Sequence, residues 1–229
     1  MAVVVTPEGR QQDADRSFDT RGSAEWARES GVGDDVLVLQ PGRVTALIGP
    51  PGSGLTRLAL ALLGKARVTG PVAYLDVRGW LCPSAAWESG IGIDQLVVAR
   101  CSDPVRWAKT AATLIEGVGA VYAEVPREIK DAQLRKLSAM VRSRKTPLVL
   151  RPLGDLPGGV AHLTLEAREV TWEGTDRGHG RLNSRRIVCE ASGKAVRGMP
   201  RLVELEDHGA DALHLVSGLD VTPSRRAAG

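Results

Sequence analysis

Between residues 36 and 125 short apolar runs alternate with amphipathic segments, the pattern of strands and helices in an α/β sheet. The runs at 44–48, 72–77, 96–100 and 120–125 predict strands. A helix-forming stretch at 55–63 follows the first of them. A second helix is announced by Asp103-Pro104, an N-cap residue followed by a proline at the first helical position. Its apolar stripe is Trp107, Ala111, Leu114, Ile115 and Val118. A third helix is predicted over 128–144, with a stripe of Ile129, Leu137, Met140 and Val141 and with Ala132 and Leu134 at the margins. Arg135 and Arg142 lie opposite that stripe, as on a solvated surface. A strand at 147–150 returns the chain to the sheet.

Beyond the turn-rich stretch 152–159 the period changes to two. Strands are predicted at 162–166, 169–173, 186–190, 201–206 and 212–216, with antiparallel partners meeting across the glycine-rich loop 174–180. The expected architecture is therefore a mainly parallel sheet flanked by helices and continued by antiparallel strands. Residues 1–22 are polar and aperiodic and read as a flexible leader. Ser23 is placed to cap a short helix through Trp26 and Ala27. Residues 23–220 read as one domain, and 221–229 as a basic flexible tail.

Composition changes this picture little. With 229 residues, 43% of them hydrophobic and 25% charged, the chain resembles an ordinary soluble globular protein. No apolar run approaches the roughly 20 residues that span a bilayer, and the N-terminus lacks the pattern of an export signal. A membrane association is not expected, and a cytoplasmic location is. Cys82, Cys101 and Cys189 are too far apart for a zinc or disulfide framework. The four histidines, His162, His179, His208 and His214, show no ligand spacing, so no metal site is expected. A net charge of +3 does not by itself argue for nucleic acid.

The most specific signal is the stretch Gly49-Pro50-Pro51-Gly52-Ser53-Gly54-Leu55-Thr56 between the first strand and the first helix. It follows the phosphate-loop pattern, in which glycines let backbone N–H groups cradle phosphate oxygens and a hydroxyl holds Mg²⁺. The lysine that reaches the β- and γ-phosphates is missing, and Leu55 stands in its place.

With this loop and strand order, residues 42–192 resemble the core of the RecA recombinase family. The segment 42–50 is similar to the strand entering that family's phosphate loop. The segment 75–83 resembles the one carrying its catalytic glutamate, and 119–124 the strand bearing its Mg²⁺-associated aspartate. The resemblance implies a RecA-like α/β core with a nucleotide-site remnant of Gly49, Gly52, Ser53, Gly54, Leu55, Thr56, Arg78 and Glu124. Arg78 takes the place of the catalytic glutamate, and a guanidinium cannot serve as a base. Glu124 takes the place of the aspartate, and the family's nucleotide-sensing glutamine falls near Pro152. Losing one charged hydrogen bond to phosphate costs roughly ten- to a hundredfold in affinity. Losing a general base costs about 10²–10⁴ in rate. No ATP hydrolysis and no cofactor are expected.

The family's two DNA-binding loops are also reduced, to 125–127 and to the lysine- and arginine-free 152–159. Weak DNA binding would fall to Arg142, Arg144 and Lys145, to the pair Arg185-Arg186, or to Arg225 and Arg226. Trp80 and Trp87 flank a loop at the carboxyl edge of the sheet, where α/β proteins bind ligands.

Small RecA relatives with such sites resemble the ImuA-type accessory factors of bacterial mutasomes. That resemblance implies a noncatalytic role in DNA-damage-induced translesion synthesis. The implied partners are a Y-family polymerase homologue and a specialised replicative-type polymerase. The alternatives are a SulA-type inhibitor of cell division and a RecA-type ATPase that recruits a lysine or arginine from elsewhere. Residues 1–35 and 195–229 lie outside the matched core and are the expected partner contacts.

Overall fold

Strands whose two faces are both covered by helices become continuous apolar runs, and this chain has four of them side by side. They are β2 (Val44–Ile48), β3 (Val72–Asp76), β5 (Ala120–Val125) and β6 (Leu148–Pro152). β4 (Leu96–Arg100) is less deeply buried. The structure, a computed structural model, describes residues 2–3, 37–66, 68–174, 183–207 and 214–220.

The sheet is completed by β1 (Ala2–Val3), β7 (Leu163–Glu173), β8 (Ser184–Gly193), β9 (Arg201–Asp207) and β10 (His214–Asp220). Its order is β1-β4-β3-β5-β6-β2-β7-β8-β9-β10. The block from β4 to β7 is parallel. The strands from β7 to β10 pair antiparallel, as does β1 with β4. The expected parallel sheet with an antiparallel continuation is thus present, and β2 lies inside it between β6 and β7.

Among the described residues four helices cover the parallel block. α1 (Leu55–Lys65) and the short α2 (Pro83–Glu88) lie on one face. α3 (Pro104–Gly117) and α4 (Asp131–Arg144) lie on the other. Alternation along β5 divides the core: Tyr122 belongs to the layer under α1, and Val121 and Ala123 to the layer under α3 and α4. Leu58 and Leu63 fill the first layer, and Trp107, Ile115, Leu137 and Val141 the second. Each such buried side chain contributes about 1.5–3 kcal/mol of transfer free energy.

Asp103 caps α3 as expected, its carboxylate accepting the amides of Val105 and Arg106. At Gly64 the backbone of α1 approaches the end of α2 so closely that a Cβ would lie 1.8 Å from the carbonyl oxygen of Ser89.

Several boundaries differ from expectation. The third long helix begins at Asp131 rather than at residue 128, because the Gln133 side chain accepts the Lys130 amide and sets the start there. Leu134 is central to its buried face, Ala132 is exposed, and Met140 is only partly buried. Ser138 shares that buried face by donating to the Val160 carbonyl. The two strands predicted at 162–166 and 169–173 are one, β7, with a bulge between Ala167 and Glu169. A bulge inserts one residue and inverts the alternation, which splits a single strand into two apparent segments.

In the leader, Ala2 and Val3 pair with Ala99 and Val98 at the sheet edge. The rest of the leader, the helix expected after Ser23 and the tail lie outside the described residues. Residues 195–207 are not an appendage to the core, since Val196, Val203 and Leu205 are buried within it.

Candidate functional site

The loop 49–54 stands at the carboxyl end of β2 and feeds directly into α1. Gly52 and Gly54 have φ values of 82° and 76°, a backbone that residues with a Cβ rarely adopt. Ser53 tightens the loop by donating its hydroxyl to the Pro50 carbonyl at 2.7 Å. From the neighbouring strand β6, the buried guanidinium of Arg151 donates to the carbonyls of Leu47 (3.2 Å), Gly49 (2.6 Å) and Pro50 (3.4 Å). Arg151 thereby holds the loop by its acceptors. Burial pushes its pKa below the ordinary arginine value.

No side chain caps α1, and its first turn carries no acidic residue. Leu55, in the place of the loop lysine, is 2% exposed and belongs to the core under α1.

Glu124 lies at the end of β5, on the face that also carries Tyr122, with its side chain 0% exposed. One carboxylate oxygen accepts the backbone amides of Val77 and Arg78, each at 3.0 Å. The other accepts Arg78 Nε at 3.0 Å, a second guanidinium nitrogen of Arg78, and the Tyr74 hydroxyl at 3.4 Å. A carboxylate offers about four lone-pair sites, and these donors take them all. Burial alone would raise the Glu124 pKa, but the hydrogen bonds and charge of Arg78 hold it below the usual glutamate value. The Arg78 pKa is raised: burial opposes its charge, and Glu124 more than compensates.

The turn that delivers Arg78 is wrapped on Asp76, whose buried carboxylate accepts the amides of Gly79, Trp80 and Leu81. A Mg²⁺ ion held on Glu124, as on the aspartate whose place it takes in the RecA-type pattern, does not fit this arrangement.

The third arginine comes from β8. Strand alternation sends Arg185 inward and Arg186 outward, where it pairs with Glu204 at 3.0 Å. Arg185 is 8% exposed and spreads its guanidinium over Gly54, so that a Cβ there would lie 2.1 Å from Nη1. Its Cζ is 5.3 Å from the centroid of Trp172. The loop, Arg78, Arg151 and Arg185 line one open cleft of about 360 Å³. Trp80, 67% exposed, stands at its rim with Arg78 Cζ 4.4 Å from its ring.

The structure therefore gathers Gly52, Ser53, Gly54, Leu55, Thr56 and Arg78 around one cleft, with Gly49 in the same loop and Glu124 held beneath Arg78. Arg151 belongs to no motif in the sequence, and its signal there is an arginine directly after the apolar run 148–150. Arg185 was grouped with the DNA contacts but lies at the phosphate-type loop.

Arg142, Arg144 and Lys145 sit at the C-terminus of α4, which leads into the start of β6. That places them at the sheet edge opposite the loop, and Arg144 pairs there with Glu116 at 2.9 Å. Arg225 and Arg226 lie outside the described residues. Trp87 is exposed on α2. Trp107 is a core residue whose Nε1 donates to the Glu124 carbonyl at 2.7 Å. Among the described residues no three His, Cys, Asp or Glu side chains converge as metal ligands, and no helix is long and apolar enough to cross a membrane.

The profile of the MT3502 N-terminal domain family matches residues 36–158, which contain the loop, Arg78, Glu124 and Arg151. RecA proteins are similar over part of the chain. That of Rickettsia bellii is 29% identical over 157 residues, covering 58% of this chain and 45% of the RecA protein. That of Azospirillum lipoferum is 29% identical over 123 residues, covering 50% and 34%. The chain thus matches less than half the length of these relatives. A solved RadB recombinase shares the fold with a TM-score of 0.51 and 17% identity, over 80% of this chain and 93% of that one.

Proposed function

From the chain's membership of the MT3502 N-terminal domain family, on a RecA-like fold, we propose that it is a noncatalytic accessory protein of DNA-damage-induced translesion synthesis. Its role in this reading is to bind the polymerase components of a mutasome, a Y-family polymerase homologue and a specialised replicative-type polymerase. The observation that carries the noncatalytic half is the Arg78–Glu124 pair. The position of a base is taken by a guanidinium, and the same guanidinium takes up the carboxylate in the position of the metal-associated residue. Leu55, buried in the core, supports the same reading.

A RecA-like body without turnover acts through its surface, and the polymerase partners follow from the ImuA-type resemblance. Pull-down with the full-length chain tests this. Capture of either polymerase component, with no ATP turnover, is the expected result. Capture of the division GTPase alone would move the protein to the SulA-type reading, and turnover dependent on Thr56 would make it an ATPase.

A further inference from the structure

The arginines around the loop do more than replace lost groups, because they leave a cleft open beside them. Arg185 places a cation against Gly54, the residue just before the missing lysine. Arg78 also lines the cleft, with its charge balanced by Glu124, and Arg151 holds the loop by three carbonyl oxygens. The first turn of α1 adds backbone donors that no side chain caps. The cleft's volume of about 360 Å³ falls in the range of small-ligand sites, roughly 300–1,000 Å³. Among the described residues no aspartate or glutamate lines it.

The guanidinium of Arg185 over the loop, with that of Arg151 behind it, calls for an anion with several oxygen acceptors, since guanidinium forks match phosphate and carboxylate geometry. A phosphate chain is favoured over a carboxylate because the loop keeps its glycine backbone and the hydroxyl residue Thr56. With Glu124 saturated by Arg78, nothing at the site asks for a divalent ion.

We propose that this cleft binds a chain of phosphates without a metal ion, Arg185 standing in for the missing lysine and Arg151, held against the loop carbonyls, adding a second cation behind the loop. The inference is independent of the mutasome reading: loss of the site would leave the pull-down result unchanged, and failure of the pull-down would leave the site intact. Two sources share the chemistry, free polyphosphate and a nucleoside triphosphate, and the exposed Trp80 is placed to stack on a base in the second case.

Full-length protein titrated with sodium tripolyphosphate or ATP in EDTA, followed by tryptophan fluorescence and calorimetry, tests it. Saturable binding is expected, unimproved by added Mg²⁺ and weakened by salt. Arg185→Gln should weaken it roughly ten- to a hundredfold, with Arg185→Lys between that variant and the parent. Because Arg185 is buried, Thr56→Asp serves as a second variant. A carboxylate in the first turn suits the helix but puts like charge into the cleft, so binding should vanish while the fold persists. Arg142→Gln, at the opposite sheet edge, should bind like the parent.

Equal affinity for the two ligands identifies the phosphate chain as the whole determinant, and tighter ATP adds the base. No binding of either at millimolar concentration would overturn the proposal and make the guanidinium of Arg185 a plug. A strict need for Mg²⁺, or binding of polyglutamate but not of tripolyphosphate, would overturn it equally.

Discussion

Glu124 and Arg151 are directly opposite each other on β5 and β6, and each gives its charge to a different structure. Glu124 turns to the β3 side and closes on Arg78, while Arg151 turns to the β2 side and closes on the loop carbonyls. Two adjacent buried residues of opposite charge thus organise the two walls of one cleft.

Removing one half of the buried pair should therefore be costly. Arg78→Ala leaves the Glu124 carboxylate without its counter-ion and should destabilise the fold by about 3–5 kcal/mol in urea unfolding at pH 7. Adding Glu124→Gln to that variant should recover part of the loss. Equal stability of Arg78→Ala and the parent would show that the pair carries no structural charge balance.

The pH dependence has a definite sign. The Glu124 pKa is depressed in the folded protein, so its stabilisation is complete above the unfolded glutamate value of about 4.3. It is lost as pH falls through the lower folded-state value. The stability difference between the parent and Glu124→Gln should be flat from pH 8 to 5 and shrink below about pH 4. A difference that grows on acidification would contradict the assignment.

Gly64→Ala sets two effects against each other. Alanine in a helix interior is favoured over glycine by about 1 kcal/mol. Here its Cβ would meet a backbone oxygen at 1.8 Å, which no rotamer can relieve. The clash should win, so thermal denaturation should show a lower midpoint. A raised midpoint would mean that α2 shifts freely away from α1.

Much of this fold was legible because its parallel strands are short apolar runs between turn residues. The runs 44–48, 96–100 and 120–125 coincide with β2, β4 and β5. The loop was legible because glycines at fixed spacing have few other reasons to occur between a strand and a helix. The bulged β7 was not, since one inserted residue inverts the pattern by which a strand is recognised. The convergence of Arg151 and Arg185 on the loop was also hidden. They come from strands on either side of β2, and only the sheet order brings them together.

Hydrolysis of ATP should be undetectable beside an intact RecA-type enzyme, and Leu55→Lys alone should not create it. Leu55 is a core residue, so a lysine there would first have to leave the interior. Arg78 would still stand in place of the base. Phosphate release assays on the parent and on Leu55→Lys decide this. Turnover abolished by Thr56→Ala in either protein would refute it.

Partner capture is expected to depend on the terminal segments, and the structure changes how that can be tested. Cutting back to 36–194 would remove β9 and β10 and uncover a core to which Val203 and Leu205 contribute. Any loss of binding would then report unfolding. Deleting 1–35 and 221–229 instead keeps β2 to β10 and, among the described residues, removes from the sheet only the two-residue pairing of β1 with β4. This shortened chain should keep a cooperative unfolding transition within a few degrees of the parent and lose capture of the polymerase component in pull-down. If it unfolds normally and binds fully, the partner surface lies on the sheet-and-helix body. The exposed rim of the arginine-lined cleft would then be the next place to substitute, beginning with Trp80→Ala.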